Sequence, residues 1–375
     1  MLPTSQADTA AHSRPLMGRP ERCYLQAALA AVLALGVFAA IGLWEKHTGG
    51  TWDFADRAPT FDLYALGRSL LALALSVLVI LPFLRGEPSS RLAPRLGAAP
   101  LSLAWASLVL SAVCIAIFVV SPQLFSELAR EDRSVEWASA LALFVASGLL
   151  LWSAARFWKA RRWMGRFGAL LCTSGAVLFG VALFVVGMEE ISWMQRIFDI
   201  QTPAVLLEEN QQKELNFHNL FTNAFELLYY GGGFVFLILL PFMKEAVPPP
   251  RLLAPLAPLL PGRFTLAVSL PLASFNYDMW HLLPIEMIAF MTLIILIRMT
   301  SRAESRAEAA FFSASAVLLV LSQGLLLALG DGLVRMWDPT EYKELIIALG
   351  FAGYAGEVVR RSFASAEMPL RRAMA

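Results

Sequence analysis

From Gly187 to Asn219 the chain reads GMEEISWMQRIFDIQTPAVLLEENQQKELNFHN. The carboxylate pair Glu189 and Glu190 stands at the end of about 20 apolar residues, long enough to span lipid as a helix. Carboxylates at the edge of a bilayer are costly, and they mark functional sites by default. A carboxylate in low dielectric serves as a general base. Glu190 is the candidate base, with Glu189 and His218 as catalytic partners. Arg196 has the planar fork that clamps phosphate or carboxylate. Ser192, Gln195 and Asn219 supply hydrogen bonds for a substrate. The alternatives are a binding or transport site, or an interfacial polar hairpin whose charges satisfy one another and the helix ends.

A second constellation is Asn276, Tyr277, Asp278, Trp280, His281 and Glu286. Asp278 and His281 are spaced i, i+3 and would share a helix face. With His218 they make a candidate metal set, to which Glu189 and Glu190 add carboxylates. No short ligand motif such as HExxH links these residues, so the cofactor is open and a divalent metal is one option. A third set, Glu45, Lys46, His47, Asp53 and Asp56, reads either as a catalytic loop or as a solvated one. Asp331, Trp337, Asp338 and Tyr342 line the same vestibule or cap an interface.

These groups must be held by membrane helices. Apolar residues make up 58% of the 375, charged residues only 16%, and the mean hydropathy is +0.61. A soluble domain carries about 25% charge. Apolar runs near 24–44, 63–84, 101–121, 135–157, 167–188, 224–243 and 309–330 predict spanning helices. Two shorter runs, 264–280 and 281–298, abut with almost no linker, and a last one covers 344–359. The fold expected is an all-α polytopic integral membrane bundle of about ten transmembrane spans. A tail at 1–22, one helical domain at 23–360 with a polar segment at 187–222, and a tail at 361–375 complete the division.

Local patterns refine this. If the fifth span stays helical past Gly187, then Glu189, Ser192, Trp193 and Arg196 share a face, and Arg196 can pair with Glu189. Thr202-Pro203 predicts an N-cap and first turn of a short interfacial helix. Asn219, Asn223, Glu226 and Tyr230 form a polar stripe entering the sixth span, with His218 and Thr222 beside it. The stripe ends at Gly231-Gly232-Gly233, where backbones can approach closely. The prolines from Pro248 to Pro261 predict a stiff, extended sixth connection.

Every second connection is basic: Arg14 to Arg22, Arg85 to Arg95, Arg156 to Arg166, Lys244 to Arg263, Arg298 to Arg306, and Arg360 to Arg372. The positive-inside rule places these segments and both termini in the cytoplasm. The acid-rich connections then face outward, with three of the four histidines. A net charge of +1 gives no global field for nucleic acid. Cys23, Cys114 and Cys172 lie in separate apolar segments and predict free thiols.

The run Glu189-Glu190-Ile191-Ser192-Trp193, Gln195-Arg196, Thr202-Pro203 and His218-Asn219-Leu220 resembles a signature of uncharacterised bacterial multi-pass membrane proteins. That resemblance covers about a tenth of the chain and implies no defined activity. The order Glu189-Glu190, Arg196, His218, His281 is similar to that of CAAX-type intramembrane proteases, with a longer pair-to-arginine spacing than EExxxR and no FxxxH. Ser192, His218, Asp278 and His281 resemble the residue set of alkaline-ceramidase-like hydrolases, without the HxxxH of their last helix. Both resemblances imply hydrolysis at a membrane face.

The leading expectation is an inner-membrane enzyme acting on a lipid or lipid-linked substrate at the extracytoplasmic face. A transporter or flippase using Glu226 and Glu286, and a non-catalytic partner of an envelope complex, are the alternatives. The expected partners are membrane lipids and, for the last reading, another membrane protein.

Overall fold

The structure is a computed structural model that describes residues 18–49, 57–85, 95–130, 133–195, 197–202 and 222–373, with main chain alone at 222–223 and 364–373. Among the described residues all the regular secondary structure is helical, with no strand. We label the long segments α1 (Arg19–His47), α2 (Leu63–Leu84), α3 (Ala98–Val120), α4 (Ser134–Lys159) and α5 (Arg166–Glu190). Then come α6 (Thr222–Phe234, a π-helical turn Val235–Leu239, and Leu240–Ala246), α7 (Arg263–Phe275), α8 (Leu283–Ser301), α9 (Arg306–Leu329) and α10 (Asp338–Ala373).

The helices alternate in direction, so their ends meet at two poles. At one pole the Tyr64 hydroxyl donates to Glu45 at 2.7 Å. Nearby, Arg57 N–H donates to the Asp278 carbonyl at 2.8 Å and the Tyr342 hydroxyl to the Phe125 carbonyl at 2.7 Å. We call this the acidic pole. At the other, Arg298 reaches the Leu84 carbonyl at 2.8 Å, Arg156 reaches Ser362 at 3.2 Å, and Arg263 pairs with Glu245 at 2.9 Å. This is the basic pole.

Eight helices are long and apolar enough to cross a bilayer, with mean window hydropathies from 1.7 to 2.6. The chain is therefore a multi-pass membrane protein. α7 and α10 also run from pole to pole. α7 is short, bent 65° from the 3-10 helix Arg251–Leu259 and, from Thr265 to Phe275, entirely buried. It sits centrally against α3, α9 and α10. α10 carries Glu344, Glu357, Arg360 and Arg361 beside its apolar stretch, so it is held by protein on several sides rather than by lipid alone.

Small residues set the closest packing. α4 lies between α5 and α10. A Cβ at Gly180 would stand 3.3 Å from the Ser147 carbonyl, and one at Gly187 would stand 2.8 Å from the Phe144 ring. Those two glycines let α5 close on α4, which places the end of α5 beside the start of α4.

Several boundaries differ from expectation. α1 begins at Arg19, inside the stretch expected as tail, because Pro20 starts a helix well. The pair expected at 264–280 and 281–298 is instead 263–275 and 283–301, with turns at 276–282. The sixth connection is non-helical at its two ends, Val247 to Pro250 and Leu260 to Gly262; between them Arg251–Leu259 is a 3-10 helix holding Pro255 and Pro258. A Cβ at Gly233 would stand 3.4 Å from Ile347, but among the described residues nothing lies within 4 Å of one at Gly231 or Gly232. The close approach expected of the triplet rests on its last member.

Candidate functional site

The site is built where α5 stops. α5 ends at Glu190, and the next turn is left-handed: φ is 45° at Ser192, 55° at Trp193 and 58° at Met194. Each non-glycine residue in this region costs about 1–2 kcal/mol, so three in succession persist only where the surroundings impose them. Met194 N–H donates to Ile191 O at 2.8 Å and Gln195 N–H to Ser192 O at 3.0 Å. The Trp193 indole N–H donates to Glu189 Oε1 at 2.6 Å. Gln195 Nε2 donates to Thr202 Oγ1 at 2.6 Å.

The expected helical continuation past Gly187 therefore fails after three residues, at Glu190. Glu189, Ser192 and Trp193 share no helix face. Ser192 is buried, and Trp193 folds back on Glu189. Met194→Gly should remove strain of about 1 kcal/mol, whereas Met194→Val, β-branched in the same region, should destabilise. Thermal unfolding in detergent checks the pair; equal midpoints would mean that the turn is unstrained.

Around this turn four carboxylates gather from three helices: Glu136 in the first turn of α4, Glu190 closing α5, and Glu341 and Glu344 opening α10. Glu190 interacts electrostatically with Glu344 and Glu136, and Glu341 with Glu344, Glu190 and Glu136. All four are half-buried. Glu136 and Glu341 sit at helix N-termini, where the dipole favours negative charge. Glu190 sits at a helix C-terminus, where the dipole opposes it. Desolvation first, then the neighbouring carboxylates of Glu344, Glu190 and Glu136, pushes Glu341 well above the usual carboxylate range, with Arg335 pulling against them.

Aromatic side chains of α6 floor the cluster. The Tyr230 hydroxyl donates to Glu344 Oε1 at 2.8 Å, and Lys343 Nζ lies 4.1 Å from the Tyr230 ring centre. Tyr229 lies within the fields of Glu190 and Glu344. Tyr230 also lies within the fields of Glu226 and Asp278, which joins the stripe expected on the sixth span to this pole. The π-helical turn follows at once, from Val235 to Leu239. Such turns widen a helix locally and recur at functional sites.

Of the residues singled out in the sequence, Glu189, Glu190, Ser192 and Gln195 belong to this pole. Arg196, His218 and Asn219 lie outside the described residues, as does the short helix expected after Thr202. Asp278 is buried and His281 half-buried, at the same pole. They stand in the turns of 276–282, so the shared helix face expected of them does not exist. Among the described residues no three His, Cys, Asp or Glu side chains are placed to hold a metal ion, and the His218, Asp278, His281 set depends on a residue outside them. Glu45 accepts from Tyr64, His47 is exposed, and Asp53 and Asp56 lie outside the described residues. Asp338 is buried on Arg335 at 2.7 Å, and Tyr342 stacks on Phe125 at 4.1 Å, so both hold the pole together. Cys23, Cys114 and Cys172 are free and buried.

Sequence reasoning missed Glu136, Glu344, Lys343 and Tyr229, and it left Glu341 in an outward connection. It also missed Arg68. Buried between α2 and α8, toward the acidic pole, Arg68 meets Glu286 at 3.1 Å, and Ser69 donates to the same carboxylate oxygen at 3.1 Å.

The fold and site thus define a multi-pass helical membrane protein with a carboxylate and tyrosine cluster at one pole. The chain matches no protein-family model, no curated protein and no solved structure.

Proposed function

We propose that this is an enzyme of the bacterial inner membrane, acting at the extracytoplasmic face on a lipid or lipid-linked substrate by hydrolysis or group transfer. The acidic pole is taken as that face, with both termini in the cytoplasm, in keeping with the basic connections. The observation that carries the reading is the meeting of Glu190 with Glu136, Glu341 and Glu344 beside a strained turn. Like charges drawn together against a helix dipole are a cost that chemistry explains and packing does not. In this reading Glu190 takes a proton from water or an acceptor hydroxyl as the new bond forms. Glu341, whose burial and carboxylate neighbours favour its protonated form, gives a proton to the departing oxygen as the old bond breaks. Glu189, Glu344 and Tyr230 position them. Ser192, Gln195 and Asn219 bind the substrate, Arg196 clamps its anionic group, and His218 assists the proton transfers.

The test is a mass-spectrometric comparison of envelope lipids and lipid-linked glycans. Deletion strains complemented with wild type or with Glu190→Gln are compared at matched protein abundance. One precursor should accumulate in both the deletion and the Glu190→Gln strain. A wild-type profile with Glu190→Gln would remove the catalytic role.

A transport reading has its own support in the Arg68–Glu286 pair and in the broken central segment α7. It is separated by substrate uptake into vesicles of purified protein. Uptake abolished by Glu286→Gln, with no product formed, would favour transport.

A further inference from the structure

At the basic pole, opposite the carboxylate cluster, a cavity of about 860 Å³ opens between α3, α6, α7 and α10. Its lining carries Lys244, Arg263, Arg360 and Arg361. Lys244 Nζ donates to the Leu260 carbonyl at 3.1 Å, and Arg361 Nη1 donates to that same oxygen. Two cations thus converge on one acceptor, and they repel each other. Glu357 binds the far side of Arg361 at 2.9 Å and is itself engaged by Gly262 N–H at 2.9 Å and Thr265 at 2.7 Å. Glu357 and Glu245 also attract Lys244, so the two cations are only partly compensated. Arg263, whose side chain is 8% exposed, pairs with Glu245 and Glu308 but keeps a buried Nε with no partner among the described residues. Arg360 is exposed at the rim. A Cβ at Gly262 would strike Glu357 and Arg361, so the backbone is drawn tightly into this network.

Arg95, paired with Glu304 at 2.8 Å, and Glu245 also line the cavity, and the rest of the lining is apolar. Ala99 and Leu103 of α3 form a wall with Phe264, and Leu103 is 58% exposed in the lipid-facing belt of its helix. A site with cations at the membrane edge and an apolar wall open to lipid is shaped for a phospholipid. Soluble anions have no use for that wall.

We propose that this cavity binds the phosphate of an anionic phospholipid from the leaflet at the basic pole. Lys244, Arg361 and Arg360 hold the phosphate, and an acyl chain lies along Ala99 and Leu103. The bound phosphate offsets the repulsion between Lys244 and Arg361. The site stands independently of the chemistry at the acidic pole.

The experiment is a thermal-shift and native mass-spectrometry titration of the purified full chain in detergent. The probes are phosphatidylglycerol, phosphatidylcholine and inorganic phosphate at equal phosphorus. Phosphatidylglycerol should raise the unfolding temperature and remain bound in the gas phase, and the other two should not. Lys244→Gln should weaken that binding about fivefold to tenfold. Leu103→Trp, which fills the apolar arm from a lipid-exposed position, should weaken it too, and it serves if Lys244→Gln fails to fold. An equal response to inorganic phosphate would overturn the lipid assignment. An equal response to phosphatidylcholine would overturn selection by charge. Wild-type affinity in both variants would overturn the site itself.

Discussion

Arg68→Ala should destabilise the protein by about 3–5 kcal/mol, the loss expected when one partner of a buried ion pair is removed and the other is left uncompensated. Glu286 is fully buried and the Arg68 side chain is 7% exposed. Arg68 Nη2 and Nε and Ser69 Oγ all converge on Glu286 Oε1, at 3.1, 3.3 and 3.1 Å. The other oxygen, Oε2, is buried without a hydrogen-bond partner among the described residues. With Arg68 gone, only Ser69 remains to hold the carboxylate, inside a bundle surrounded by lipid. Replacing both charges, as in Arg68→Met with Glu286→Met, should recover most of the loss, since paired apolar side chains of similar volume cost little there. Unfolding in mild detergent measures it. The lipid-facing Leu71→Ala is the reference, because that residue is 36% exposed on the same helix. If Arg68→Ala and Leu71→Ala unfold alike, the pair contributes nothing to stability.

The pair also shows what the sequence hides. Glu286 was visible as an acid about one turn inside an apolar run. Arg68 was one cation in a long apolar helix, and no local pattern joins positions 68 and 286. Their meeting is a product of tertiary packing between α2 and α8. The helices themselves were legible, because lipid forces each apolar run to satisfy its own backbone hydrogen bonds. α2 matches its expected bounds at 63–84, and α5 begins one residue from the expected start at 167.

The misses have physical causes. Ser192, Trp193 and Met194 contain no glycine to announce a left-handed turn, so helical periodicity ran through them unchecked. The π-helical turn at Val235–Leu239 leaves no mark on an all-apolar segment. α10 was expected as a short last span, but it extends from Asp338 to Ala373; Asp338 in its first turn pairs with Arg335, and Glu344, Glu357 and Arg361 find partners where the apolar pattern lapses. Glu190 stood out as a carboxylate at a lipid edge. The acids that face it sit at the starts of two other helices, where carboxylates are ordinary N-terminal residues.

Glu344→Gln gives the sharpest test of whether those acids act together. Glutamine keeps an oxygen to accept from the Tyr230 hydroxyl, so the contact at 2.8 Å can survive while the charge is lost. If the cluster is catalytic, Glu190→Gln should lower turnover of the substrate found by lipid analysis about 10²–10⁴-fold, the range for loss of a general base. Glu344→Gln should produce a smaller loss. The double variant should turn over no more slowly than Glu190→Gln alone, because groups that serve one proton transfer do not contribute additively. Stability should move the other way. Each substitution removes a carboxyl group that its neighbours in the cluster repel when charged, so both single variants should unfold at a higher temperature than wild type. Falling activity with rising stability separates a site held together for chemistry from one held together for packing. A cluster that only braces the pole would lose stability with each glutamine, and losses of function in the double variant would follow protein abundance.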